Sequence, residues 1–425
     1  MEEQKKIDDF YAFKVKNMWA YFKSQHFSFW MICGYLFFEF VKPQALFPAI
    51  SIIPWAQLLL IGALAGVFTD PTIKRVSSAA NILLVLFSIM IAISIFGASY
   101  PDVSKKYYLD FYSWAIIYFL IINIVNTKER FYIFLIIFIV AAGKIAFGTS
   151  KSWVSRGFSF TSWGLMGPKG YFQNSGELAI LMLMLFPLAF YLYFHLKERV
   201  KTWEKILLAL FWICPALTIM GASSRGAQIA FVVVLAFMFR KSIFKVKSLV
   251  GIVILCSSLY YLLPQEQKDR FAAAGDDKTS QQRLLYWENG WEMMKDHPLT
   301  GVGFFNFIPY YNAHYADDVL FTDRGAELPH NIFIQVGTDA GFIALFLFIS
   351  LILYALISAS KIARNNRLEP IDRAIGAGLG YGIIGYVIAG QFVTVTYYPF
   401  FWVHLAFIVS CSNIYFAKKA HPSAK

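Results

Sequence analysis

A chain of 425 residues that is 58% hydrophobic, with mean hydropathy +0.54, is excluded as a soluble globular domain, because its apolar residues gather in runs of 18 or more. Its net charge of +12 belongs to membrane topology and lipid-surface attraction and not to a nucleic-acid footprint. The four cysteines, Cys33, Cys214, Cys256 and Cys411, all fall inside apolar runs, so they read as packing residues with neither a disulfide framework nor a zinc spacing.

The pattern predicts an all-α polytopic integral membrane protein with about twelve transmembrane helices. Residues 1–26 form a polar arm with no cleavage site, in which Phe10, Phe13, Met18, Tyr21 and Phe22 alternate with lysines as in an amphipathic segment. Residues 27–263 hold nine expected spans, near 27–41, 47–68, 80–99, 107–126, 131–149, 175–195, 203–220, 226–239 and 246–263. The first and eighth are short for a core of about 30 Å. A long polar loop, 264–329, follows; residues 330–417 hold the last three spans, near 331–359, 371–393 and 398–417, before a tail, 418–425. An even count puts both termini on one side. The arm, tail and loops of that side carry 24 of the 38 Lys and Arg residues. Positive charge in short loops marks the cytoplasmic face, which makes both termini cytoplasmic and the 264–329 loop external.

Ionisable groups at membrane depth or at span ends are the places to look for chemistry. Glu39 and Lys42 flank Pro43 at a span end, where an interfacial anchor is the plainer reading. Lys144 stands alone in IVAAGKIAFG, near enough to the external end to snorkel. Glu177 begins the sixth span after Asn174, where a carboxylate suits a helix N-terminus without any further role. The external loop 149–173 offers Arg156 and Lys169 with Trp153, Trp163 and Phe172, and is expected to meet the membrane surface.

Arg225, in MGASSRGAQIA, is placed at the external face beside a helix start, with Ser223 and Ser224 as cap candidates; a helix N-terminus plus an arginine makes an anion site. Arg283 lies in TSQQRLLYWENGWEMMKDHP. There Thr279 and Gln282 have capping-box spacing, and Leu284, Trp287, Trp291 and Met294 recur at helical intervals, as in a helix lying along the outer surface. His330 follows Pro329 and is expected in the first turn of the tenth span, with Asn331 next. The positive end of a helix favours a neutral imidazole, which can accept a proton from an attacking hydroxyl.

Three stretches, SSRGA (Ser223 to Ala227), QRLLYWENGWEMMKDHPLTGVGFFNF (Gln282 to Phe307) and PHNIFIQVGTDAGFIALF (Pro329 to Phe346), occur in that order on one face. Together they resemble the O-antigen ligase and polymerase superfamily of bacterial envelope enzymes, and GYFQNSGELAI around Asn174 is similar to a weaker element of that family. The resemblance covers about Ala222 to Leu356. It implies a GT-C-like, metal-independent glycosyltransferase of the bacterial inner membrane, without a cofactor, whose spans enclose a lipid-accessible opening beneath a periplasmic cap made by the long loop with its interfacial helices. The implied donor is an undecaprenyl-pyrophosphate-linked glycan. By the same resemblance His330 matches the catalytic histidine, and Arg225 and Arg283 match the pyrophosphate-binding arginines. Such arginines neutralise the diphosphate leaving group while the histidine activates the acceptor hydroxyl for inverting attack.

Asn331, Asp339, Asn174, Lys144 and Arg324 are possible supporting residues. Asp339, nine residues beyond His330, reads as an internal hydrogen-bonding group. Arg324, Lys268 and Arg270 could recruit anionic groups, although loop charges are usually just solvated. Of the aromatics Trp287, Trp291, Phe304, Phe305, Tyr310 and Tyr311, one or two are expected to stack on sugars. Three activities share these motifs: a ligase with lipid A-core as acceptor, favoured by the layout, a repeat-unit polymerase, and a protein O-oligosaccharyltransferase. A transporter is the alternative of another class, without support from inverted repeats. A metal-dependent transferase could draw on the pairs Asp276 with Asp277 and Asp317 with Asp318, but no histidine stands at a ligand spacing. Membrane lipids are the remaining partners, and nucleic acid is not one.

Overall fold

The computed structural model describes residues 14–73, 75–161, 164–243, 245, 257, 261, 265–272 and 275–416. Among these residues the fold is helical throughout, with no strand. An amphipathic helix, α1 (Val15–Ser24), precedes the apolar helices α2 (Phe27–Val41), α3 (Trp55–Thr69), α4 (Ala79–Phe96), α5 (Pro101–Ile124), α6 (Lys128–Ser155), α7 (Ser175–Leu196), α8 (Thr202–Gly221) and α9 (Arg225–Met238). The polar loop contributes α10 (Lys278–Asp296) and α11 (Phe307–His314), and the chain closes with α12 (Ile332–Arg364), α13 (Pro370–Ala389) and α14 (Pro399–Phe416).

Seven helices, α4 to α8, α12 and α14, are long and apolar enough to cross a membrane, and α2, α3 and α9 are shorter apolar helices. The protein is therefore polytopic. Every expected span outside 246–263 falls on a helix; that segment lies almost wholly outside the described residues, as do Cys256, Phe10, Phe13, Trp163 and the tail 418–425. The second span needs correction at its start. Pro43, Pro48 and Pro54 each lack an N–H and restrict the residue before them, so residues 43–50 make only one short helix and a 3₁₀ turn, and α3 begins at Trp55.

Helix α13 was expected as an ordinary apolar span, but its packing depends on its glycines. A Cβ on Gly378 would come within 2.6 Å of the Leu188 Cα, and one on Gly385 within 3.2 Å of the Leu183 side chain, so α13 lies backbone to backbone on α7. At the end away from the long loop, a buried knot ties α2, α3, α5 and α6 together. Arg130, 3% exposed, meets Asp70 Oδ2 at 3.4 Å and donates to Gln25 Oε1 and Ile124 O, while Ser28 Oγ donates to the same Asp70 oxygen at 2.9 Å.

Helix α12 is broken near its start. Gly341 has φ +79° and ψ −178°, and a Cβ there would meet the backbone of Pro298 and Leu299 at 2.6 Å. The loop between α10 and α11 docks into this break. Val302 N–H donates to Thr338 O at 2.8 Å, Phe342 N–H to Pro298 O at 2.9 Å, and Asp339 Oδ1 accepts from Phe305 N–H at 3.0 Å. The loop also has a small core of its own around Tyr286, Met293, Val302, Phe307 and Tyr311.

Candidate functional site

Arg225 is the first helical residue of α9. The small residues of SSRGA allow a tight turn out of α8, and Ser224 caps the new helix by accepting from Ala227 N–H at 3.4 Å. The guanidinium reaches the start of α10, where Nη2 stands 2.9 Å from Asp277 Oδ2 and 3.4 Å from Ser280 Oγ. Asp277 is also the cap of α10, accepting from Ser280 N–H at 3.1 Å; the cap is not Thr279, and the helix starts two residues earlier than the Thr279 to Gln282 spacing implied. Burial would raise the Asp277 carboxyl, but hydrogen bonds from Ser280 and Arg225, with the Arg225 charge, hold it below its ordinary value.

Arg283 lies farther along α10. Its Nε is buried and, among the described residues, has no hydrogen-bond partner. Burial and the like charge of Arg225 push its pKa down, while Asp277 and Glu327 pull it up. Of the expected stripe, Leu284 and Trp291 stay exposed and Met294 is buried, and the packed face of α10 is a different set of residues. Gln282, Tyr286, Asn289, Gly290 and Met293 are buried with Met294. The reason is that the loop core accepts polar groups with partners: Asn289 Nδ2 donates to Tyr311 Oη at 2.9 Å and Asp318 Oδ2 at 2.7 Å, and Gln282 Nε2 to Asp318 O at 3.0 Å.

His330 sits one position before the cap and not in the first turn of α12. Asn331 is the cap, its Oδ1 accepting from Phe333 and Ile334 N–H, so Asn331 orients the helix start. His330 adopts φ +52°, a left-handed conformation that costs a residue with a Cβ about 1–2 kcal/mol. Its neighbours hold it there. His330 N–H donates to Thr394 Oγ1 at 2.9 Å, Ile332 N–H to Gly390 O at 2.8 Å, and Trp287 Nε1–H to Pro329 O at 2.9 Å. The ring Nε2 lies 3.2 Å from Glu327 Oε2, and Glu327 N–H donates to the Tyr286 hydroxyl at 2.8 Å.

Glu327 was missed in the sequence, although its place three residues before His330 was a signal. The hydrogen bond from His330, against the effect of burial, and the nearby Arg324 and Arg283 hold its carboxyl below the ordinary value. Thr394 and the segment joining α13 to α14 were missed too. A Cβ on Gly226 would strike Phe392 at 2.5 Å, and one on Gly176 would meet Val393 at 2.8 Å and Ser224 Oγ at 3.6 Å, so the starts of α7 and α9 meet on this segment beside His330. Helix N-termini and two arginines thus gather at one place, an arrangement suited to an anion.

The other expected residues are placed as follows. Asn174 caps α7 in a capping box with Glu177, whose Oε1 accepts from the Tyr398 hydroxyl at 2.9 Å. Asp339, 1% exposed, holds the α10–α11 loop and does not join the His330 contacts. Lys144 donates to Val41 O at 3.3 Å and lines a separate groove of about 360 Å³ with Arg156 and residues 164–168. Arg324 is exposed and pairs with Asp323 at 3.4 Å; Lys268 donates to Tyr261 O, and the Arg270 side chain lies outside the described residues. Trp153 and Phe172 are core residues and not membrane-surface ones. Phe304 and Tyr311 are fully buried, which leaves Trp287 beside Pro329, the exposed Trp291 and the half-buried Phe305 and Tyr310. Among the described residues no group of three His, Cys, Asp or Glu is arranged to hold a metal ion.

A family model described as O-antigen ligase matches residues 207–349, which takes in Arg225, Arg283, Glu327, His330 and the broken start of α12. No curated protein matches the chain. Over residues 207–349 the chain is thus similar to the O-antigen ligase family, within a polytopic membrane protein.

Proposed function

We propose that the protein is a twelve-span, GT-C-like glycosyltransferase of the bacterial inner membrane, with both termini cytoplasmic, that moves O-antigen polysaccharide from undecaprenyl pyrophosphate to lipid A-core at the periplasmic face. The observation that carries this reading is the buried Nε of Arg283 beside Arg225, without a partner among the described residues. A buried donor without an acceptor is unfavourable in the free protein and becomes useful when an anion arrives. A diphosphate supplies that anion. It displaces the Asp277 carboxylate from Arg225, takes bidentate bonds from the guanidiniums, and leaves with the electron pair of the broken anomeric C–O bond. His330 takes the proton of the acceptor hydroxyl as its oxygen attacks the opposite face, which inverts the anomeric centre. No step in this sequence calls on a metal. The exposed Leu284 and Trp291 of α10 face the membrane surface in this arrangement.

The test is transfer in detergent with chelator present, from a purified undecaprenyl-diphosphate glycan to lipid A-core, by wild type, His330→Ala and Arg283→Ala. Glycosylated lipid A-core from wild type alone supports the reading. A lengthened lipid-linked glycan replaces the ligase with a polymerase, and activity that dies in chelator overturns the metal-independent mechanism.

A further inference from the structure

We propose that Glu327 is a positioning residue for His330: its carboxylate holds the imidazole as the Nε2–H tautomer, so Nδ1 is the atom that removes the acceptor proton. This rests on the transferase reading above. The contact is direct, with Nε2 3.2 Å from Oε2. Among the described residues no hydrogen bond occupies Nδ1, and His330 is a quarter exposed, so that nitrogen has room for a hydroxyl.

Two features show that this contact is arranged. Glu327 is fixed at its backbone, its N–H donating to the Tyr286 hydroxyl on α10, while Trp287 Nε1–H, from the next residue of the same helix, donates to Pro329 O. His330 is fixed from the other side by Thr394 in an unfavourable left-handed conformation, which persists only where the surroundings determine it. The segment from Glu327 to His330 is thereby stretched between α10 and the α13–α14 connection, and its two ionisable side chains are turned toward each other. The charged groups facing the pair are Arg324 on the same segment and Arg283 on α10. Both favour an ionised carboxylate, and an ionised carboxylate can only accept, which forces the proton onto Nε2.

The proton balance closes. The acceptor O–H gives its proton to Nδ1 while its oxygen forms the bond to the anomeric carbon, and the diphosphate departs with the electrons of the broken C–O bond. The resulting imidazolium keeps Nε2–H on Glu327, which stabilises the positive charge, and later releases the Nδ1 proton to water. Glu327 itself touches neither donor nor acceptor.

The first measurement needs no activity: ¹⁵N-histidine-labelled protein in micelles at pH 8, with the His330 signals identified by their loss in His330→Gln. Wild type should show an exchange-protected, downfield proton on Nε2 that Glu327→Ala loses while the other histidine signals stay in place. The second is transfer. Glu327→Ala should lose about 10- to 100-fold in kcat, by analogy with the carboxylates that orient metal-bound histidines, with added formate restoring part of it. An unchanged Nε2 proton in Glu327→Ala, or wild-type turnover by that variant, overturns the positioning role alone. A wild type that shows the protected proton and transfers nothing overturns the transferase reading and, with it, the role assigned to the contact.

Discussion

Replacing Arg283 by Met should separate stability from activity in opposite directions. The side chain keeps its length and apolar stem and loses the guanidinium, whose Nε is buried without a partner among the described residues and whose charge is opposed by Arg225. A buried unsatisfied donor costs about 1–3 kcal/mol, and the attraction of Asp277 and Glu327, with partial exposure of the group, returns some of it. The net expectation is a variant more stable by up to about 1 kcal/mol, read as a thermal midpoint in detergent about 1–3 °C higher. The same change removes one charge from the diphosphate. Two unit charges about 4 Å apart at an effective dielectric near 20 interact by about 4 kcal/mol; discounted for exposure this leaves about 2–4 kcal/mol, a loss of about 30- to 900-fold in kcat. The assay is thermal unfolding and transfer on one preparation. A lower midpoint would show that Arg283 is structural, and retained turnover would remove it from the site; either refutes the reasoning.

Asp277→Ala removes the cap of α10 and should cost about 0.5–2 kcal/mol in unfolding at pH 7. Because the folded-state pKa of Asp277 is depressed, its contribution is present above the ordinary carboxylate pKa and is lost as pH falls through the folded value; wild type and variant should therefore converge in midpoint below about pH 4. Arg130→Ala strands the buried Asp70 carboxylate and should cost about 3–5 kcal/mol, measured as lost midpoint and poor recovery, whereas an exposed control such as Lys105→Ala should change little. Gly341→Ala combines a left-handed φ with overlap on Pro298 and Leu299, so it should loosen the 298–306 loop, seen as faster amide exchange at Val302 and Phe342; unchanged exchange there would contradict the docking.

Most helices were legible because runs of apolar residues are strong, local signals, and proline spoils them only where it stands, as before Trp55. The arginine and histidine positions were legible for another reason: charges are so rare in these segments that each one stands out. What escaped was set by contacts distant in sequence. Glu327 is one acidic residue among many in a polar loop until the fold turns it toward His330. The break at Gly341 cannot be read from a glycine in an apolar run without the loop that fills it. The packed face of α10 was not legible, because it is built from Asn289, Gln282 and Tyr286, whose hydrogen bonds involve residues some 20 to 40 positions away.

The division of labour between arginines and histidine is tested most directly by donor binding. A radiolabelled undecaprenyl-diphosphate glycan should bind His330→Ala about as tightly as wild type, with no transfer, whereas Arg225→Gln with Arg283→Gln should bind it at least about 100-fold more weakly, two charge-assisted contacts being lost. Undiminished donor binding by the double arginine variant, or turnover by His330→Ala, would contradict the account.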